Sequence, residues 1–290
     1  MDLPLPDTAI VAGPVCLREP AQQDVPVVFA SAHSGRAYSQ AFIDSARLDA
    51  LQLRRSEDGF VDELFAAAPG HGIPLVIANF PRAYCDANRE QWELDPGMFD
   101  DALPPWVNTS SPRVGAGLGT IAKVVASGEL IYRGKLRFAE ARDRIGTCWE
   151  PFHAALRAQV AATQQAFGAC LLIDCHSMPG ASLPGRGTVD VVLGDAHGTS
   201  CDPRATRMVE QIMVELGFSV RRNDPYAGGY ITRHYGRPRE GVHALQIELN
   251  RALYMDEALI ERLPGFGDMQ ARMERLVALL AERAKLLRLR

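Results

Sequence analysis

Three polar side chains close apolar runs of the kind that suit buried strands. His33 follows residues 25–31, His176 follows residues 169–174, and Glu248 ends residues 242–248. Two histidines and a carboxylate form the donor set of a catalytic zinc site, which takes about three protein N or O ligands and leaves a fourth position for water. Either histidine alone could merely cap a turn; it is their shared place at strand ends that points to a metal. Asp58, in Ser56-Glu57-Asp58 ahead of a helical stretch, can supply the carboxylate or serve only as a helix N-cap. Glu248, within Gln246-Ile-Glu-Leu-Asn-Arg251, either pairs with Arg251 or Arg89 or takes a proton from the attacking water as general base. His153 and Asp174 are candidates for steadying the ligand imidazoles, because a ligating histidine usually donates its other N–H to a carboxylate or carbonyl. Asp174 could equally be a strand-end capping acid.

The segment Phe80-Pro-Arg-Ala-Tyr-Cys-Asp-Ala-Asn-Arg89 places Arg82, Asn88 and Arg89 beyond another predicted strand. A guanidinium suits planar, bidentate recognition of a carboxylate, and a second one nearby can polarise a carbonyl. Either arginine alone would read as a solvated surface group. Tyr226-Ala-Gly-Gly-Tyr-Ile-Thr232 is a glycine-permitted turn whose backbone N–H groups could approach a ligand, or a plain structural turn. Gly115-x-Gly-x-Gly119 lacks the Lys-Ser/Thr ending of a phosphate loop and misses the dinucleotide spacing, so it carries no nucleotide assignment. Cys175 beside His176 does not make a cysteine hydrolase, because adjacent strand residues point to opposite faces.

Bringing these groups together requires alternating strands and helices. Residues 25–31 and 74–80 read as strands around a helix at 59–68, a β–α–β unit that favours parallel pairing. Residues 96–119 are rich in Gly, Pro, Ser and Asn and read as a long loop on the active-site side. Residues 136–167 are helical in pattern, with Pro151 either kinking the helix or opening a second one. Further strands are predicted at 169–174, 189–193 and 242–248, a helix at 203–216, and an amphipathic surface helix at about 269–287. The alternation predicts an open, largely parallel sheet with helices on both faces and ligands outside the carboxyl ends of the strands.

At 290 residues, without a linker or internal repeat, the chain reads as a single domain over 1–290. Its 47% apolar and 23% charged content excludes disordered, collagenous and coiled-coil classes. A formal net charge of −4 without single-sign runs argues against a sequence-independent nucleic-acid binder. Six scattered cysteines read as reduced thiols, and the expected compartment is the cytoplasm. No apolar stretch approaches the roughly 18 residues of a membrane span, and residues 1–8 carry no basic region of an export signal.

Taken in order, His33-Ser-Gly-Arg36, Asp58, Arg82-x-x-x-Asp86-x-Asn-Arg89, Ile173-Asp-Cys-His-Ser-Met178, Gly228-Gly-Tyr-Ile-Thr232 and Gln246-Ile-Glu-Leu-Asn-Arg251 cover nearly the whole chain. This ordered set resembles the N-formylglutamate amidohydrolase family, distant relatives of the zinc carboxypeptidases and aspartoacylases. The resemblance implies a three-layer α/β/α fold with a mixed central sheet, carboxypeptidase-like (phosphorylase/hydrolase-like). It also implies zinc held by His33, His176 and an acidic residue, with Glu248 as general base and later proton donor. Arg82 would polarise the scissile carbonyl, Asn88 and Arg89 would hold a substrate carboxylate, and Gly229 and Thr232 would line the substrate site. One departure stands out: the relatives use His-x-x-Glu for two ligands, and the third position after His33 is Arg36. Asp58 is the chosen third ligand, with Asp62 or Glu57 as fallbacks.

The implied activity is hydrolysis of the linear amide of N-formyl-L-glutamate, or of another small acidic N-acyl amino acid, to formate and glutamate, as in histidine degradation. The rivals are an amidase or carboxypeptidase of the same fold acting on a larger glutamate-containing amide, and a metal-free dicarboxylate-binding protein using the arginines alone. For a small substrate, residues 96–119 should cap a closed site.

Overall fold

In the computed structural model, which describes residues 13–180, 189–287 and 289, the sheet strands in chain order are β1 (Val15–Arg18), β2 (Val27–Ser31), β3 (Leu75–Ala78), β4 (Cys170–Met178), β5 (Val191–Gly194), β6 (Val220–Arg222) and β7 (Val242–Asn250). Residues 1–8, where an export signal would need its basic region, lie outside the described residues. The strands form one seven-stranded sheet in the order β1-β3-β2-β4-β7-β5-β6. Neighbours β3, β2, β4 and β7 run parallel, whereas β1 is antiparallel to β3 and β5 to β7. Four of the six pairings are parallel, as expected from the alternation, and the antiparallel pairings of β1 and β5 make it the mixed sheet that the resemblance implied. An apolar run identifies a strand but carries no information on its direction.

The helices are α1 (Gln40–Ser45), α2 (Ala50–Arg54), α3 (Val61–Leu64), α4 (Pro112–Gly115), α5 (Phe138–Arg144), α6 (Glu150–Phe167), α7 (Pro203–Glu215), α8 (Tyr230–Tyr235) and α9 (Phe266–Ala284). On one face of the sheet, α3, α7 and α9 pack over Val27, Phe29, Ile173, Cys175, Leu245 and Ile247. On the other, α5, α6 and α8 cover Val28, Ala30, Val76, Leu172 and Ala244. The period-two alternation of each central strand thus feeds two cores, giving the three-layer α/β/α arrangement with a mixed sheet.

Local chemistry explains where elements begin and end. Residues 136–167 resolve into α5, a π-helical turn at Ile145–Trp149 and α6 in one unbroken helical run, and Pro151 falls just after the π turn, whose wider hydrogen-bond spacing accommodates its missing N–H. The helix expected at 59–68 shortens to α3, which ends where Phe65 leaves helical geometry, followed by a 3₁₀ turn at Ala68–His71. In α9, Phe266, Met269, Met273, Leu276, Val277 and Leu280 form the buried stripe, so the predicted amphipathic helix starts and stops about three residues early. Strands β1 and β6 and the short helices α1, α2 and α8 are too brief to have left a periodic signal. All six cysteines are unpaired. Among the described residues no helix is long and apolar enough to cross a membrane.

Candidate active site

One sheet face changes character along its strands. On β4, Cys170 and Leu172 pack into the core against α6, and the same face then presents Asp174 and His176; on β7, Val242 and Ala244 give way to Gln246 and Glu248. The parallel register sets Asp174 beside Gln246 and His176 beside Glu248. The partner strand β7 supplies ladder bonds through Asn250, so β4 continues to Met178 and His176 lies within the strand rather than just after it. Cys175 points into the opposite core, where burial pushes its thiol well above the ordinary range. The geometry therefore leaves no Cys–His nucleophile.

His33 leaves the end of β2 on a tight path over β3. A Cβ on Gly35 would lie 2.2 Å from the Phe80 carbonyl oxygen, so only glycine lets the loop cross there. The Asp58 N–H donates to the His33 carbonyl at 3.0 Å, which clips the two ligand-bearing loops together.

His33, Asp58 and His176 are buried and each offers one donor atom within 4.8 Å of the others. Asp58 Oδ2 lies 2.8 Å from His176 Nδ1 and 3.4 Å from His33 Nδ1. The far nitrogens face other groups. His33 Nε2 is 2.7 Å from Asp86 Oδ1, so its hydrogen is used there and Nδ1 remains without a hydrogen-bond partner. His176 Nε2 lies 2.8 Å from Asp174 Oδ1, at an angle that makes no hydrogen bond, and 3.1 Å from Asn88 Nδ2. A protonated Nε2 faces Asp174, and a bare one accepts from Asn88. Asp58 Oδ1 is held by Arg251 Nη2 at 2.8 Å and Ser177 Oγ at 3.2 Å.

The electrostatics fit a cation. Burial opposes charge on Asp58, but His176 and His33 hold its carboxyl well below the usual range. Burial likewise opposes a charged His176, yet Asp174 and Asp58 raise it well above the ordinary imidazole value. A buried site that attracts a proton onto an imidazole between two carboxylates also suits a metal ion in that proton's place. The orphaned Nδ1 of His33 and the N, O, N donor set meet the requirements of such an ion.

Glu248 sits beside this cluster, in register with His176 on the neighbouring strand. Its Oε1 accepts from Gln246 Nε2 at 2.7 Å, and burial pushes its carboxyl up to about 8, opposed by His176 and reinforced by Asp58. The pairings considered for Glu248 from sequence are corrected: Arg251 serves Asp58 and Ser177, and Arg89 is engaged elsewhere. Arg89 donates from Nε to Leu118 O at 2.6 Å and from Nη1 to Asn88 O at 2.8 Å, with Nη2 3.6 Å from Asp86. Burial pushes it down to about 10, still protonated at neutral pH. Arg82 Nη2 lies 2.9 Å from Asp86 Oδ2; burial opposes its charge, but Asp86, Asp58 and Glu248 raise it overall.

These groups line a cavity of about 490 Å³ together with Arg113, Leu118, Gly229 and Arg233, a size in the range of small-ligand sites. Arg113 and Leu118 come from the long loop at 96–119, which thus closes part of the wall. Other predicted residues are placed elsewhere. Thr232 does not line the cavity; it is fully buried against Gly228. The Gly229 N–H is not free for a ligand, since it donates to Gln246 Oε1 at 2.9 Å, and the absence of a side chain there makes room for the Asn88 amide, 2.3 Å from where a Cβ would stand. His153 steadies neither imidazole: its Nε2 lies 2.8 Å from Ala87 O and its Nδ1 2.9 Å from Tyr235 Oη, so it props the backbone just before Asn88. Asp58 is not an N-cap, because Phe60 holds that position on α3. The fallback acids turn away, Glu57 to Arg54 and Asp62 towards Arg36. Asp86, which contacts His33, Arg82 and the Asn88 N–H, and Arg251 were both within quoted motifs, yet residue type alone did not disclose that they orient other side chains.

The profile of the N-formylglutamate amidohydrolase family matches residues 25–255. An N-formylglutamate deformylase of Pseudomonas putida is 30% identical over 246 residues, 81% of this chain and 84% of that protein. One from Pseudomonas aeruginosa is 30% identical over 240 residues, 80% of this chain and 83% of that protein. The crystal structure of an N-formylglutamate amidohydrolase from Ralstonia eutropha, 36% identical, is similar with a TM-score of 0.89 over 94% of this chain and 99% of that one. A gene product of Agrobacterium tumefaciens, 20% identical, shares the fold with a TM-score of 0.65 over 94% of each chain.

Proposed function

The chain belongs to the N-formylglutamate amidohydrolase family, and from that premise we propose that it is a zinc-dependent deformylase, one domain over 1–290, that hydrolyses N-formyl-L-glutamate to formate and glutamate. The observation that carries the reading is the convergence of His33, Asp58 and His176 donor atoms beside Glu248, in a cavity whose other lining charges are five guanidiniums and the single carboxylate of Asp86. His33, Asp58 and His176 would hold the zinc. When bound there, zinc would supply Lewis-acid chemistry that polarises a carbonyl and lowers the pKa of water.

The protein groups divide the remaining work. Burial holds the Glu248 carboxyl up to about 8, and the charge of a cation on His33, Asp58 and His176 would bring it back towards the ionised form. As carboxylate it takes one proton from the attacking water, the water oxygen bonds to the formyl carbon, the C–N bond breaks, and Glu248 returns the proton to the departing amine nitrogen. Arg82 faces the oxygen on which negative charge grows. Asn88 and Arg89 hold the carboxylate next to the amide nitrogen, with Arg89 fixed by the Leu118 and Asn88 carbonyls so that little rotamer freedom is lost on binding. A cavity of about 490 Å³ has room for a small acyl amino acid. A cytoplasmic setting and a role in histidine degradation belong to this same reading.

The test is formate release from N-formyl-L-glutamate by purified protein, with zinc content measured on the same sample. Release that tracks bound zinc and stops on chelation is the expected result. A zinc-containing protein that leaves N-formyl-L-glutamate intact would refute the substrate assignment.

A further inference from the structure

Every carboxylate that lines the cavity is already engaged: Asp58 by Arg251 and Ser177, Asp86 by Arg82 and His33, Glu248 by Gln246. Two guanidiniums in the same wall are not. Arg113, in α4, and Arg233, in α8, are exposed, and their side chains make no hydrogen bond or ion pair among the described residues. Exposed arginines elsewhere reach carboxylates, as Arg55 does Glu129 and Arg204 does Asp202.

The two come from elements separately tied to the Asn88–Arg89 pair. Arg89 Nε donates to Leu118 O, just beyond α4, and Ile231 N in α8 donates to Asn88 Oδ1 at 2.8 Å. Arg113 is near enough that its charge helps push the Arg89 guanidinium down. Unneutralised cations around one cavity repel one another, and an entering anion relieves that cost while gaining charge-assisted hydrogen bonds.

We infer that Arg113 and Arg233 form a second anion subsite of this cavity, one that takes the side-chain carboxylate of the substrate and so selects an acidic amino acid. The inference rests on the deformylase reading above, in which Asn88 and Arg89 hold the other carboxylate. A dicarboxylic substrate then meets one buried, fixed guanidinium and two exposed, adjustable ones, and on this arrangement the cavity would discriminate glutamate from glutamine, its neutral near-isostere.

The experiment compares the full-length wild type with the Arg113→Gln/Arg233→Gln double variant, whose changes fall on exposed side chains. Calorimetric binding of L-glutamate and of L-glutamine is measured for each, and kcat/KM on N-formyl-L-glutamate and N-formyl-L-glutamine. The wild type should prefer acid over amide by at least about tenfold, and the double variant should bring that ratio close to one. An unchanged ratio in the double variant, or a wild type without preference, would overturn the subsite. A wild type that binds glutamate over glutamine but releases no formate refutes the deformylase reading; loss of that binding preference in the double variant would still uphold the subsite.

Discussion

Asp86 Oδ1 and His33 Nε2 are 2.7 Å apart, and the other ring nitrogen of His33 faces Asp58 Oδ2 at 3.4 Å without a hydrogen-bond partner. The same carboxylate reaches Arg82 through Oδ2, so one buried acid orients both a proposed metal ligand and a proposed carbonyl-polarising cation. Asp86→Asn preserves the shape but removes the charge that fixes the imidazole tautomer. Zinc affinity should fall by about 10–100-fold, read by competition with a chromogenic chelator, while circular dichroism stays that of the wild type. Undiminished affinity would reduce Asp86 to a partner of Arg82 alone.

The three proposed ligands should behave alike towards metal and unlike their sequence neighbours. His33→Ala, His176→Ala and Asp58→Asn should each lower bound zinc below one equivalent, since each donor lies within 4.8 Å of the other two. Glu57→Gln and Asp62→Asn should retain it, because Glu57 serves Arg54 and Asp62 faces Arg36. Metal analysis after gel filtration distinguishes the groups, and zinc loss confined to Glu57→Gln or Asp62→Asn would move the third ligand.

His153 gives a pH dependence independent of any metal. Burial pushes its imidazole from an ordinary 6.5 down to about 3, the Ala87 carbonyl opposing. Between those values the unfolded chain binds the extra proton, so this residue's contribution is fully present above pH 6.5 and is lost as pH falls towards 3. The urea unfolding free energy of the wild type should therefore fall below pH 6.5 more steeply than that of His153→Gln, by up to about 1.4 kcal/mol per pH unit. Parallel curves would mean that the folded protein accommodates the imidazolium.

How far the sequence discloses this site can be judged residue by residue. His33, His176 and Glu248 were legible because an apolar strand that ends in a titratable side chain breaks its own pattern. The family likeness then singled out Asp58 from Glu57 and Asp62, a choice that spacing alone left open. Arg251 and Asp86 were misread or passed over because a buried charge's partner depends on distant loops, here Asp58 for Arg251 and His33 for Asp86. His153 shows the converse: a histidine in a helix looks like a ligand support, and only packing shows that it serves the Ala87 carbonyl. The antiparallel β1 and β5 were invisible for a different reason, since hydrophobic alternation is the same read in either direction.

Glu248→Gln keeps the volume and the contact with Gln246 but cannot accept a proton. Turnover of N-formyl-L-glutamate should fall by roughly 10²–10⁴-fold with zinc retained, because Glu248 is not among the converging donors. Near-normal kcat would place the base elsewhere in the cavity.

The two inner arginines should fail in different ways. Arg89 is proposed to hold a carboxylate present equally in ground and transition states, so Arg89→Ala should act mainly on KM. Arg82 is proposed to face charge that appears only as the formyl carbon becomes tetrahedral, so Arg82→Ala should act mainly on kcat, by about 10²–10³-fold. Arg89→Lys should not rescue: its ammonium cannot serve the Leu118 and Asn88 carbonyls and a substrate carboxylate at once, as the forked guanidinium can. Steady-state kinetics on N-formyl-L-glutamate and on 4-formamidobutanoate, which lacks the carboxylate next to the nitrogen, separate the roles. The Arg89→Ala defect should shrink on the truncated substrate, and the Arg82→Ala defect should persist because the formyl oxygen is still there. Both arginines touch Asp86, so a shared collapse of that carboxylate's position would instead give matching losses in both variants on both substrates, together with the weakened zinc binding expected of Asp86→Asn.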